Sequence, residues 1–140
     1  MVMTVHVDVV SAEKEIFSGT AEMVFAPAEM GEVGITPRHA PFITRLRPGE
    51  VRVKVSDSES HPFYISGGML EVQPEIITIL ADSAIRAKDI DEAAAIEAKT
   101  KAEEALADKS GKIDYASAQA QLVDAMMKLR TLDRLRSRGG

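Results

Sequence analysis

Gly31-Glu32-Val33-Gly34-Ile35-Thr36-Pro37-Arg38-His39-Ala40-Pro41 places two glycines, two prolines and a histidine in eleven residues. Glycine supplies positive φ or close backbone approach, and proline fixes φ and removes a donor. The stretch therefore reads as a strand end running into a rigid, shaped loop. Around it the chain is written in strand period. Val5, Val7 and Val9 alternate with His6 and Asp8, Met23 and Phe25 with Glu22 and Val24, and Val51, Val53 and Val55 with Arg52 and Lys54. Phe63 and Ile65 flank Tyr64, Leu70 and Val72 flank Glu71, and Ile76 to Leu80 is almost wholly apolar. Period two is the half-buried strand pattern. Turns are expected at Ser18-Gly19, Pro27, Pro48-Gly49, Ser56-Asp57-Ser58 and Gln73-Pro74-Glu75. Many short strands at this spacing predict an all-β, antiparallel sandwich or flattened barrel over residues 1–86.

After Arg86 the texture changes to alanine-rich sequence without proline, which predicts a C-terminal α-helical hairpin over residues 87–140. Asp89 followed by Glu92 reads as an N-cap with its capping-box partner, opening a helix from about Ile90 to Asp108. Lys109-Ser110-Gly111-Lys112 is a turn, and Asp114 can cap a second helix running to about Arg136. Ala118, Leu122, Ala125, Leu129 and Leu132 form a stripe on the second helix, facing Ala95, Ala98, Ala102, Ala105 and Leu106 on the first. The short turn makes the pair antiparallel. An alanine seam buries little area at roughly 25 cal/mol per Å², so the hairpin is expected to be the less stable half, able to open or to dock elsewhere.

With 140 residues, 45% hydrophobic and only 4% aromatic, the chain allows one ordinary domain, or a small one with an appendage, around an aliphatic core. The absence of cysteine excludes a disulfide framework and a thiolate metal site. The first residues show no basic region followed by a long apolar run, so no signal peptide is expected. No apolar stretch approaches the ~20 residues of a membrane-spanning helix. Net charge is −5, yet Lys128, Arg130, Arg134, Arg136 and Arg138 stand near the end against Asp133 alone. That basic tip reads either as a solvated helix end complementing its dipole or as a contact for an acidic partner. A nucleic-acid adaptor is disfavoured by the pI near 5.2 and the lack of aromatics near the cluster.

Motifs for catalysis are missing. His6, His39 and His61 show no metal-ligand spacing, and no HExxH occurs. No serine sits in a nucleophile elbow, and Gly67-Gly68 is followed by Met69 rather than a phosphate-binding loop. Glu103 and Glu104 read as solvated. Glu32 and His39 can serve as polar contacts from the rigid loop, or as a solvated acid and a turn-capping histidine.

Two further signatures follow the opening stretch: Ser66-Gly67-Gly68-Met69-Leu70-Glu71-Val72-Gln73-Pro74, and Ala81-Asp82-Ser83-Ala84-Ile85-Arg86-Ala87-Lys88-Asp89-Ile90-Asp91. In this order and spacing the three resemble the epsilon subunit of the bacterial F-type, proton-translocating ATP synthase, over about Met3 to Leu135. The resemblance implies a non-catalytic, regulatory rotor subunit of the central stalk. Its sandwich joins the gamma subunit to the c-ring, so that proton-driven rotation reaches the catalytic head and drives ATP synthesis. Its hairpin lies against the sandwich or extends along gamma, where its basic face meets the beta subunits of the alpha/beta head and hinders ATP hydrolysis. Glu32 and His39 match the loop positions for the c-ring and gamma contacts, and Lys128, Arg130, Arg134 and Arg136 fall in the inhibitory stretch. The implied location is peripheral, on the cytoplasmic face of the bacterial inner membrane, with membrane contact only through the complex. A chloroplast or mitochondrial relative is the alternative, but the first residues show no amphipathic Arg- and Ser-rich pattern, so no transit segment is expected.

Some epsilon subunits bind ATP on the hairpin through Ile or Leu, Asp, two variable residues, Arg and Ala. Here Ile90-Asp91-Glu92-Ala93-Ala94-Ala95 puts alanine at the arginine position, and Asp124 and Lys128 stand where ATP-binding members carry arginines. Asp124 would repel a triphosphate. The expectation is weak or absent ATP binding and no cofactor, with Ile90 and Asp91 a remnant that starts the helix. An ATP-sensing regulatory module is the alternative.

Overall fold

The valines at the start of the chain lay down the first layer of the core. Val5, Val7 and Val9 are buried, while His6 and Asp8 point to the other face of β1 (Val5–Ser11). The structure, a computed structural model, describes residues 2–138. Nine more strands follow in it: β2 (Glu15–Ala21), β3 (Met23–Ala28), β4 (Gly31–Ile35), β5 (Phe42–Leu46), β6 (Gly49–Ser56), β7 (Glu59–Ile65), β8 (Gly68–Val72), β9 (Ile76–Ala81) and β10 (Ala84–Arg86). They form one ten-stranded sheet in the order β10-β7-β6-β3-β5-β8-β9-β1-β2, and β4 pairs with β3 off that path. The sheet curls until its ends meet. The Arg86 guanidinium donates to the Ile16 carbonyl at 2.9 Å, and the Phe17 ring packs on His61 and Phe63. The result is the expected sandwich or flattened barrel, with one parallel pair, β1 with β9, among antiparallel neighbours.

The core is aliphatic, as a chain poor in aromatics requires. Val7, Val9, Val24, Val51, Val53, Ile65, Leu70, Ile77 and Ile79 are fully buried around Phe63. Gly68 is dictated by close approach. Its φ is +150°, and an added Cβ would lie 2.1 Å from the Leu80 carbonyl oxygen across the β8–β9 pair.

Two expectations about this region need correction. Ser18-Gly19 is not a turn: Ser18 and Gly19 pair with Asp8 and Val7 inside β2, and the chain reverses earlier, where the Ser11 amide donates to the Lys14 carbonyl at 2.9 Å. Pro27 is likewise inside a strand, opposite Glu32. It sits where β3 hands its pairing from β6 to β5, a point that tolerates a missing donor. In β3 the buried residues are Val24, Ala26 and Ala28, which puts Met23 and Phe25 on the outer face. There the Arg52 guanidinium lies 4.1 Å from the Phe25 ring centre.

At the Arg86–Ala87 step a second compact unit begins. Ala87–Asp89 form one 3₁₀ turn, followed by α1 (Glu92–Ala107) and α2 (Tyr115–Ser137). The expected hairpin is present, but the first cap is displaced. Asp91, not Asp89, caps α1, accepting from the Ala94 amide at 3.0 Å, because the 3₁₀ turn occupies Asp89. Asp114 caps α2 as expected, accepting from the Ser117 amide. Between the helices Gly111 takes φ +80°, and the Tyr115 hydroxyl donates to the Asp108 carbonyl. Ala95 and Ala102 are buried on α1, and Ala118, Ala125 and Leu132 on α2. Both sets recur at intervals of seven, so each lines one stripe of its helix. Ala98 is exposed rather than part of that seam. Thr131, which apolar periodicity passes over, is buried, its hydroxyl back-bonded to the Met127 carbonyl at 2.8 Å. Gly139 and Gly140 of the expected unit lie outside the described residues.

Candidate functional site

The Thr36–Pro41 loop issues from β4, whose partner is β3. Glu32 is exposed on β4, opposite Pro27. Beyond Ile35 the chain turns through Thr36–Pro41. The Arg38 amide donates to the Pro74 carbonyl at 2.9 Å, which ties this loop to the β8–β9 turn. His39 Nδ1 donates to the Ala40 carbonyl at 2.7 Å, and the ring tilts against Phe42 at 5.4 Å between centres. His39 is thus anchored by its backbone neighbour and Phe42, and Glu32 stands on the strand before it. Both belong to one strand–loop element. Arg38, between them, has φ 61°. No glycine marks that left-handed position, so nothing in the residue types announces it.

On the outer face of the β1–β2 pair, Ser18 Oγ donates to Asp8 Oδ1 at 2.7 Å, and His6 Nε2 lies 2.9 Å from the same oxygen. The Ser18 hydroxyl, with help from His6, holds the Asp8 carboxyl below its ordinary range against the opposing effect of burial. One ring nitrogen faces both the acid and the hydroxyl, which lies 3.2 Å away, whereas a serine relay needs them on opposite nitrogens. The cluster follows from strand register, Asp8 opposite Ser18, and no linear motif could have revealed it. No group of three acidic, histidine or cysteine side chains that could hold a metal occurs among the described residues.

In the helical unit the expected basic residues divide by partner. Lys128 Nζ pairs with Asp124 at 3.1 Å. Arg130 is exposed and Arg134 half-buried. Arg136 reaches across the hairpin to Glu92, 2.6 Å from nitrogen to oxygen. Glu92 stands in the first turn of α1 and Arg136 in the last turn of α2, so the pair ties the open ends of the two helices together. The Arg136 hydrogen bond holds the Glu92 carboxyl below its ordinary value, and Glu92 raises Arg136 in return. Of the ATP-motif remnant, Asp91 is engaged as the helix cap and Ile90 is buried. An open groove of about 400 Å³ between the helices is lined by Ala98, Lys101, Ser117, Ala120, Gln121 and Asp124. Lys101 there pairs with Glu97 at 3.0 Å.

The two units coincide with two recognised domains. Residues 4–87 match the ATP synthase delta/epsilon chain beta-sandwich domain, and residues 88–133 match the long alpha-helix domain of the same chain. The ATP synthase epsilon chain of Nitrosococcus oceani is 62% identical over 140 residues, covering all of both chains. Epsilon chain 1 of Methylococcus capsulatus is 65% identical over 136 residues, covering 97% of each. Among solved structures, a chain of the Euglena gracilis mitochondrial ATP synthase superposes with a TM-score of 0.83 at 17% identity, over 92% of this chain and 81% of that one. A chain from the central stalk and c-ring of the Tetrahymena thermophila mitochondrial enzyme gives 0.61 at 12% identity, over 93% and 97%. At those identities the two structures establish a shared fold.

Proposed function

The chain belongs to the ATP synthase delta/epsilon chain family, and on that premise we propose that it is a non-catalytic rotor subunit of a bacterial proton-translocating ATP synthase. In this reading residues 1–86 are the coupling domain. The edge of β4 and its loop, with Glu32 and His39, meet the c-ring, and the sandwich holds the gamma subunit. Residues 87–140 are the regulatory domain, a hairpin that opens to bring Lys128, Arg130, Arg134 and Arg136 against the beta subunits of the alpha/beta head and slow ATP hydrolysis. The subunit sits at the periphery of the membrane through its partners. No described helix is long and apolar enough to cross a membrane.

The observation that carries the regulatory part is the build of the hairpin. Its seam is made chiefly of alanine methyls, and its two open ends are tied by the exposed pair Glu92–Arg136. Such a unit is held closed by small contributions and suits a two-state element. The engagement of Asp91 as a cap and of Asp124 with Lys128 favours this brake over an ATP-sensing module.

The test is ATP hydrolysis by the cognate catalytic complex lacking this chain, with the full-length chain or a chain ending at Ala87 added back. Suppression by the full-length chain alone is the expected outcome. If both forms bind and neither suppresses turnover, the inhibitory role of the C-terminal cations is wrong. If neither binds the gamma subunit, the rotor assignment is wrong.

A further inference from the structure

Arg38 is the only described residue other than glycine with positive φ, at 61°. An L side chain in that conformation crowds the following carbonyl, a strain that glycine escapes. The position is fixed from several sides. Pro37 precedes it, His39-Ala40-Pro41 follow, and its own amide is held by the Pro74 carbonyl at 2.9 Å. Inside the chain the side chain returns nothing for this strain. It is exposed, and its guanidinium has no ion pair, hydrogen bond or ring contact among the described residues. A glycine would fit the same backbone at lower cost, so whatever the arginine contributes lies outside this chain.

We propose that Arg38 is an interface residue that binds a carboxylate on the ring of loops met by the β4 edge, an inference that rests on the rotor reading above. A guanidinium displayed from a fixed backbone point is suited to a two-point grip on a carboxylate. The occupant is a folded protein surface, not an anionic lipid surface. The chain carries a net charge of −5, which a field of headgroup phosphates would repel, whereas protein loops carrying both signs can accept one exposed cation on an acidic chain.

The experiment uses the full-length chain with Arg38→Gly, Arg38→Ala and Glu32→Ala. Three quantities are read: the melting temperature of the free chain, binding to the purified complex of c-ring and gamma, and sedimentation with protein-free vesicles of anionic phospholipid. Arg38→Gly is expected to melt above the parent and Arg38→Ala not to. Both are expected to bind the complex about tenfold more weakly or worse, the size of a lost charge-assisted hydrogen bond, with no form sedimenting with vesicles. Parent-like binding by both Arg38 variants, with binding weakened by Glu32→Ala, overturns the inference and leaves the rotor reading standing. A parent that fails to bind the complex removes that reading and the inference together. Sedimentation of the parent that is lost in Arg38→Ala overturns the carboxylate assignment in favour of a headgroup phosphate.

Discussion

Replacing Ala102 by leucine probes how the hairpin is held. Ala102 is 1% exposed on α1, and Ala125 has the same exposure on α2. With Ala95 and Ala118 they bring four methyl groups to the seam, which at about 0.8 kcal/mol per buried carbon is roughly 3 kcal/mol of gross stabilisation. Forcing three further carbons into a well-packed contact costs about 1–3 kcal/mol. The insult is therefore of the same order as the alanine contribution it disturbs. It should shift the closed–open balance of the hairpin by about 5- to 150-fold, while the strands, whose core cluster contains no seam residue, keep their stability. Hydrogen exchange read by peptide is the direct assay. Amides of α1 and α2 should exchange faster by that factor, with those of β1, β6 and β9 unchanged. In the catalytic complex, the proposed brake should bite harder, because opening becomes easier. Unchanged exchange in the helices would refute the tight-seam argument, and equal acceleration in the strands would refute the assignment of the effect to the helical seam.

Two further outcomes follow from particular residues. Gly68→Ala should cost about 3 kcal/mol or more, because its Cβ meets the Leu80 carbonyl at 2.1 Å in backbone that cannot move; Gly34→Ala should cost far less, since the atom met at 2.6 Å is the mobile end of Met23, and chemical denaturation of the two variants checks the contrast. Acid should loosen the hairpin ends: Glu92, whose carboxyl is held below its ordinary value of 4.5 by the Arg136 hydrogen bond, stabilises the closed form above that pH, and the contribution is lost as pH falls through the lowered value. Helicity followed from neutral pH to about pH 3 should show this loss in the parent and lack it in Glu92→Gln, and added salt should shrink the difference.

The strand and helix halves were legible because each was written in its own period over many residues. The valines of β1 and β6 and the two capped, alanine-rich runs left little choice. What escaped was set by partners distant in the chain. Ser18-Gly19 has the residue types of a turn yet lies in the middle of β2, because the strand character there comes from pairing with β1. Pro27 misled for the same reason, being tolerated only where β3 changes neighbours. At the candidate site, the glycines and prolines marked the loop holding His39, while the left-handed Arg38 at its centre was hidden by a residue type that ordinarily avoids that conformation. The Glu92–Arg136 pair spans 44 residues, and only the register of the finished hairpin brings them together.

That register bears on how a brake of this kind would be set. In the closed hairpin Arg136 is already spent on Glu92, and Lys128 on Asp124. In the proposed brake, an acidic surface on the catalytic head would therefore compete, for Arg136, with an acid on the other helix. The Lys128 partner lies one turn away on the same helix, so that pairing survives opening, and the lysine must exchange partners locally. The cations proposed as inhibitory are thus unequal. Opening the hairpin releases Arg136, leaves Lys128 half-neutralised, and changes nothing intrinsic to exposed Arg130. If the brake works by opening, then among Lys128, Arg130 and Arg136 its dependence on hairpin state should reside mainly in Arg136. Arg136→Ala should then weaken inhibition and, by removing the tie to Glu92, also favour the open form. The two effects oppose each other in turnover but separate in hydrogen exchange, which reads opening alone. Glu92→Gln supplies the complement: it frees the ends of the hairpin while keeping the arginine, and should deepen inhibition where Arg136→Ala relieves it. Equal inhibition by these two variants would mean that Arg136 is a structural tie and not a contact with the head.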